Sequence, residues 1–481
     1  MEAVIENSLS FMRRRRVLLV IFVLIVLAVG VAMYFTRRSP PLVWQGKPSV
    51  HWIGRLSFYD LDSAGVSGVS AEAFLFAAGK EVVPELIRGL SMRENWVSDR
   101  WTDLYFKLGK WQRYFDLPIK RSNYRANCAR GLGLLGAVAS EAEPALLKAL
   151  KDKDPYVRSE AAEALGRIAA DKSRVAPSLI AGLASQDQNH RLASIIGLIH
   201  CLPGSAEAAK ALRRILHDPD WNKRACAADG LWQDDSDPTA TFTSLVEALQ
   251  DENATVRDRA AQSIGKLHYD PERTAEVLHA ALIREVAVGS NEIVVWKILG
   301  ALAEIGPAAR PAVGVLKNLI ATNNYAATFS IIALGRIEPE NPQWIEHLVK
   351  RLDSVEGGGE GFSAAWELGK RGVAARGAVG PLRRLAESAG DWRTKAMAAT
   401  AAWRLDPSSP NPLNLITNNL SRREHGQYEI VRLLGELGPA AKPAVPTLLQ
   451  MRYSRGLMMH DYVDEALRKI APEYLTDPWK K

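Results

Sequence analysis

Apolar residues recur along most of this chain with a helical period, and a longer period is laid over it. Arg125, Arg158, Arg191, Arg224 and Arg257 follow one another at a single unbroken interval, and each can serve as position zero. Positions +3 and +4 are then small or apolar, as in Cys128 and Ala129 or Ala161 and Ala162. Position +7 is Leu132, Leu165, Leu198, Leu231 or Ile264, and +10 is often Leu135, Ile168 or Leu267. At 3.6 residues per turn these positions share one face of an α-helix, and no alternation by twos competes with them. The ladder outlasts the arginine. From Val295, Ala327, Gly361, Lys395, Gln427 and His460, position +7 holds Leu302, Leu334, Leu368, Ala402, Leu434 and Leu467. The interval stays nearly constant through these copies, except that the step from Arg257 into Val295 is longer and so carries an insertion. A worn copy begins near Gly68, with Leu75 at +7.

A second helix is predicted between successive stripes, opening at Pro144, Pro177 and Pro443, since proline is tolerated in a helix's first turn. Each repeat is then a helical hairpin. An unbroken period of this kind means a solenoid, in which each hairpin buries its apolar face on the next. The expected fold is all-α: an α-solenoid preceded by one transmembrane helix. The chain divides into a basic tail (1–16), an apolar segment (17–35), a linker with a first helix (36–64), a degenerate first repeat (65–90), an aromatic-rich insert (91–120), the repeat array (121–475) and a short tail (476–481).

Asp152, Asp218 and Asp251 each precede an Arg of the ladder at one fixed spacing, and Val157-Arg158 and Val256-Arg257 complete the pattern. With the Ala-Ala doublets and terminal Leu-Gly, these residues resemble the HEAT-repeat family, in the short bacterial form shared with the phycobilin lyases. The resemblance covers about residues 65 to 475. It implies that the Asp and Arg residues are a structural ladder linking neighbouring repeats. Val43–Ile53 and the Trp-rich insert further resemble the opening of single-pass, membrane-anchored HEAT-repeat proteins of bacteria, a likeness that carries no activity with it.

Val17 to Phe35 runs without a charge. At 1.5 Å per residue it would span about 28 Å, roughly one hydrocarbon core. Arg13 to Arg16 precede it and Arg37 and Arg38 follow, which favours a cytoplasmic N-terminus and an extracytoplasmic solenoid. The expectation is a single-pass membrane protein. The formal charge of +7 adds little beyond this, because residues 1–38 hold six Arg and two Glu. The remainder is nearly balanced, which removes most of the case for nucleic acid. Cys128, Cys201 and Cys226 form no CxxC and suit buried small hydrophobes.

No catalytic constellation emerges. The nine His are scattered without HExxH, and there is no His-Glu dipeptide of the kind with which the deoxyhypusine hydroxylases hold two irons. Gly357-Gly-Gly-Glu-Gly361 lacks the Lys-Ser/Thr of a phosphate loop. No cofactor, metal or catalytic residue is expected. Position +5 should project towards the concave face, and it reads Arg130, Glu163, Ile196, Asp229 and Gln262. Mixed sign cannot track a phosphate backbone but suits a protein surface. Trp101, Tyr105 and Trp111 in the insert share one face of a helix and would either cap the solenoid or meet a partner. Trp232 and Trp403, both at +8, would pack in the core or anchor a partner. The sequence thus points to a non-catalytic protein–protein interaction scaffold. An enzyme or accessory protein of the phycobilin-lyase-like class is the alternative.

Overall fold

The computed structural model describes residues 42–44, 46–54, 56, 71–93, 120–289, 292–322, 326–354, 359–420, 427–454 and 457–474. Residues 1–52 and 53–481 form two compact units. In the first, Val43–Trp44 pairs antiparallel with Lys47–Pro48. The Trp52 indole N–H donates to the Trp44 carbonyl oxygen at 3.2 Å, and the two rings stand edge to face.

The second unit is a run of helical hairpins. The Arg-bearing helices include Arg121–Leu135, Pro155–Ile168, Gln188–His200, Trp221–Gly230 and Ala254–Leu267. They stack side by side in chain order, and the series continues to Leu457–Ile470. The intervening helices, such as Glu143–Ala149 and Lys172–Gly182, form the second layer. Between the layers lies the apolar ladder. Every +7 residue from Leu75 through Leu132, Leu165 and Leu198 to Leu467 is buried. The lengthened step into Val295 is absorbed by an intervening helix of 18 residues, Pro271–Val288. The first described helix of this unit, Ala71–Ala78, also packs against Val445–Ser454, which brings the two ends of the array together.

Local chemistry starts and stops each helix. Asp154, Asp187, Asp220 and Asn253 cap Arg-bearing helices, each side chain accepting a backbone N–H two or three residues on. At the other end, position +11 is Gly136, Gly306, Gly372 or Gly438, and Gly79 in the worn copy, all with positive φ between 50° and 67°. Each leads into a 3₁₀ turn towards the next helix. The ending needs the left-handed region, which a side chain resists. His268 holds the same position with φ 50°.

The closest approach between repeats lies one residue past the buried ladder. A Cβ added at Gly166 (+8) would lie 2.2 Å from the carbonyl oxygen of Gly197, which is +6 of the next repeat. Gly133 faces Ala164, Gly265 faces Ala301 and Gly435 faces Ala466 at the same register. Where +8 is Ile199 the roles reverse, because Gly230 opposite it has no room for a Cβ. One small residue in each of these pairs lets the helices meet nearly backbone to backbone.

Two expectations are corrected. No helix among the described residues is long and apolar enough to cross a membrane. The longest described helix, Pro271–Val288, carries Glu272, Arg273, Glu276, Arg284 and Glu285, whose burial in hydrocarbon is costly. Val17–Phe35 lies outside the described residues. The single-pass topology, the extracytoplasmic solenoid and the membrane as partner are therefore not supported. Second, Pro144 does fall in a first turn, but Pro177 lies inside Lys172–Gly182, which Asp171 caps well before it. Pro443 belongs to the 3₁₀ turn before Val445–Ser454.

Two glycines separate the two demands. Gly136→Ala meets no neighbouring atom, so it should lose only the penalty of its backbone conformation (φ 58°, ψ −138°), roughly 1–3 kcal/mol. Gly166→Ala drives a methyl into backbone and should cost more, above about 3 kcal/mol if the helices must part. Denaturant midpoints should rank wild type, Gly136→Ala, Gly166→Ala in falling order. A Gly166→Ala protein as stable as wild type would remove the close approach from the account.

Candidate functional site

The Arg-bearing helices begin in a turn where the predicted ladder sits. Arg125 donates from Nε and Nη2 to both carboxylate oxygens of Asp152, each at 2.9 Å, and Arg224 grips Asp251 the same way at 2.7 and 2.8 Å. Each pair crosses from one repeat to the next. The backbone carbonyl of Asp152 in turn accepts from Nη1 of Arg158, and that of Asp251 from Arg257. One aspartate therefore holds two repeats. Asp218 departs from the pattern: its carboxylate is taken by Lys223, and only its backbone carbonyl meets Arg224. Arg191 rests on the carbonyls of Ser185 and Gln186. Arg257 reaches instead to Glu285, a partner the regular spacing hid because it lies in the lengthened helix.

The arginines of these pairs are buried and the aspartates largely so; such pairs stabilise little in net terms, but removing one partner strands the other. Burial would raise the Asp251 carboxyl, yet the Arg224 hydrogen bonds, the Asn253 N–H and the charges of Arg224 and Arg257 outweigh it and hold it below its ordinary value. Glu367 behaves alike: burial opposes ionisation, and Arg336 and Arg371 prevail.

At the other end of these helices, side chains at +5 and +9 of successive repeats touch. Near the N-terminal side, Arg130, Gly133, Leu134, Glu160, Glu163, Ala164 and Arg167 line a cleft of about 220 Å³. Arg167 pairs with Glu163 at 2.6 Å and donates from Nε to Nε2 of His200 at 3.1 Å. Burial, then the charges of Arg167 and Lys172, lower His200 to about 4, so it accepts that bond as a neutral ring. Burial raises Glu160 above its ordinary value despite Arg130, and burial with Glu160 pushes Tyr156 up to about 12. The cysteines offer no nucleophile: all three are free, and burial raises each thiol.

Towards the C-terminal side the same face becomes aromatic and basic. The rings of Trp296 and Phe329 lie 5.4 Å apart, and those of Tyr428 and Tyr462 lie 5.2 Å apart. Arg336 reaches Glu367 at 2.9 Å, and Arg404 and Lys469 share Glu436. The Trp366 ring has the Arg432 guanidinium carbon 3.9 Å from its centroid and Lys370 Nζ at 4.6 Å. Of the residues singled out by sequence, Trp232 is 38% exposed with Lys266 over its ring, and Trp403 is half-buried. Trp101, Tyr105 and Trp111 lie outside the described residues. Trp366, Arg432 and the tyrosine pair were missed. The signal for the first two is position +5, which holds Trp366 and Arg432 in the copies counted from Gly361 and Gln427, beside a basic +9 at Arg336, Lys370, Arg404 and Lys469. Among the described residues, no group of three or more His, Cys, Asp or Glu is placed to hold a metal.

This geometry defines an all-α solenoid of stacked helical hairpins. Residues 120–199 and 208–287 match the family model of HEAT repeats. No curated protein matches the sequence. Among solved structures, yeast importin-β (Kap95p) is similar at 13% identity and a TM-score of 0.43, over 85% of this chain and 52% of that one. Kap121p is similar at 13% identity and a TM-score of 0.36, over 88% and 49%. An engineered protein is similar at 19% identity and a TM-score of 0.33, over 80% and 98%. The chain spans about half the length of the first two.

The paired carboxylates at both ends of these helices set a pH dependence. Asp251 and Glu367 titrate lower in the folded chain than their ordinary values of about 4. Their contribution is thus complete above about pH 5 and is lost as pH falls through the folded values. Asp251→Asn should lower stability near neutral pH and flatten its decline into acid, read from urea midpoints across that range. An unchanged pH profile in Asp251→Asn would mean the Arg224 pair contributes nothing.

Proposed function

We propose that the protein is an interaction scaffold that binds other proteins along the exposed face of its Arg-bearing helices. One observation carries this reading: on that face, aromatic and charged side chains of different repeats touch one another. Trp296 meets Phe329 and Tyr428 meets Tyr462 across single repeat boundaries, with the two tyrosines each 37% exposed, and Arg432 reaches Trp366 two repeats before it. Tyr, Trp and Arg are the residues most enriched at protein interfaces and their hot spots, because they offer large contact area together with hydrogen bonds. The charges around them alternate in sign, as a protein surface tolerates and a phosphate chain does not.

The catalytic alternative would centre on the Arg130–Arg167 cleft. There the titratable groups hold one another: Arg167 engages both Glu163 and His200, and Arg130 lies 3.8 Å from Glu160. Such mutual engagement favours a packed polar network over a general acid and base waiting for substrate.

Photo-reactive residues at Trp232, Tyr428 and Tyr462, placed one at a time in the full chain, test the reading in the native host. The same residue at Glu247 and Ile283, which are exposed on intervening helices, serves as the comparison. Adducts with partner proteins should concentrate at the first three positions. Adducts concentrated at Glu247 and Ile283 would place the binding surface on the other layer and overturn the proposal.

A further inference from the structure

We propose that the Trp366 cluster is a seat for an acidic peptide segment of a partner protein, with Lys370 and Arg432 receiving its carboxylates. The inference rests on the scaffold reading above and assigns it a place and a chemistry. Two cations lean on the one indole ring, from two different repeats. A guanidinium stacked on a ring keeps its edge N–H donors free, and a cation–π contact fixes its position without neutralising its charge.

Three carboxylates near the cluster are already engaged, while Glu429, three residues before Arg432, keeps a buried oxygen without a hydrogen bond. Glu367 is buried between Arg336 and Arg371, and Glu436 is shared by Arg404 and Lys469. Glu465 also pairs with Lys469. Among the described residues, Lys370 and Arg432 have no carboxylate within ion-pair distance. The positive field there is only partly offset: burial, then Arg432 and Arg336, lower the pKa of Lys370 against the opposing pull of Glu367 and Glu436. A bound carboxylate would relieve that cost and form charge-assisted hydrogen bonds with the guanidinium.

The occupant follows from what flanks the cluster. Tyr428 lies one helical turn before Arg432, on the same side of its helix, and pairs with Tyr462. An apolar side chain next to the acidic residues would rest on these rings. A polynucleotide suits the place poorly, because Glu436 and Glu465 would meet its phosphates within one or two repeats. The cations form a pair, not a track. A short chain that alternates carboxylates with apolar groups matches this arrangement, with alternate positions reaching the cations and the tyrosines.

The test uses the full chain and three fluorescent probes: a dodecapeptide of alternating Glu and Leu, its Gln–Leu counterpart, and a single-stranded DNA dodecamer. The Glu–Leu peptide should bind, weaken as salt is raised, and exceed the Gln–Leu peptide at least tenfold. Lys370→Gln with Arg432→Gln should reduce its affinity at least tenfold while leaving the melting temperature unchanged. Absence of Glu–Leu binding, or affinity that survives the double substitution, overturns the proposal. DNA binding as tightly, and losing as much on substitution, overturns it in favour of a polyanion site. Partner adducts at Tyr428 and Tyr462 that persist in any of those cases would leave the scaffold reading standing and this seat refuted.

Discussion

At most repeat boundaries neighbouring helices approach so closely that one of the two facing residues must be small, and much of the structure depends on that approach. Gly166 against Gly197 is the tightest case, and Ile199 against Gly230 shows the same rule with the sides exchanged. Dispersion falls steeply with distance, so helices that touch along their backbones gain contacts a larger residue would forfeit. Close stacking also fixes the spacing of everything mounted on the helices. It brings Leu165 and its counterparts into one continuous buried ladder. It places the +9 side chain of one repeat within reach of the next, as Arg167 with His200 and Arg404 with Glu436.

The turn end of each helix adds a second, directional link. Asp152 and Asp251 accept bidentate pairs from the preceding repeat's Arg, while their own carbonyls accept from the following one. A part-buried carboxylate satisfied in this way specifies one register, since slipping a helix by a turn would strand both charges. Packing supplies most of the free energy, and the arginine ladder restricts which arrangement collects it. The exposed face inherits its order from both. Its aromatic and basic residues sit at fixed distances because they stand on helices that cannot slide.

Much of the fold was legible because its cause is periodic. A buried leucine in every copy, an alanine doublet and an Asp at a fixed distance before an Arg each repeat often enough to be read without coordinates. Features set by a single repeat were not. The Glu285 partner of Arg257 depends on an insertion that breaks the spacing, and Pro177 looked like a helix start although Asp171 caps the helix earlier. The apolar run at Val17–Phe35 read as a membrane span, but none of the described helices is long and apolar enough to be one. The Trp366 cluster was hidden for a different reason. Its members come from helices two repeats apart, a reach that no interval in the sequence marks.

The central claim is that each repeat is held by its immediate neighbours, so that the functional face is built locally and added repeat by repeat. Hydrogen exchange on Leu165→Ala measures it most directly. Leu165 is fully buried in the ladder, and its truncation should cost about 2–5 kcal/mol. Protection should fall in the helices between Arg121 and His200 and stay unchanged around Trp366 and Tyr428. Loss of protection spread evenly to Leu457–Ile470, or no loss near Leu165, would contradict the claim.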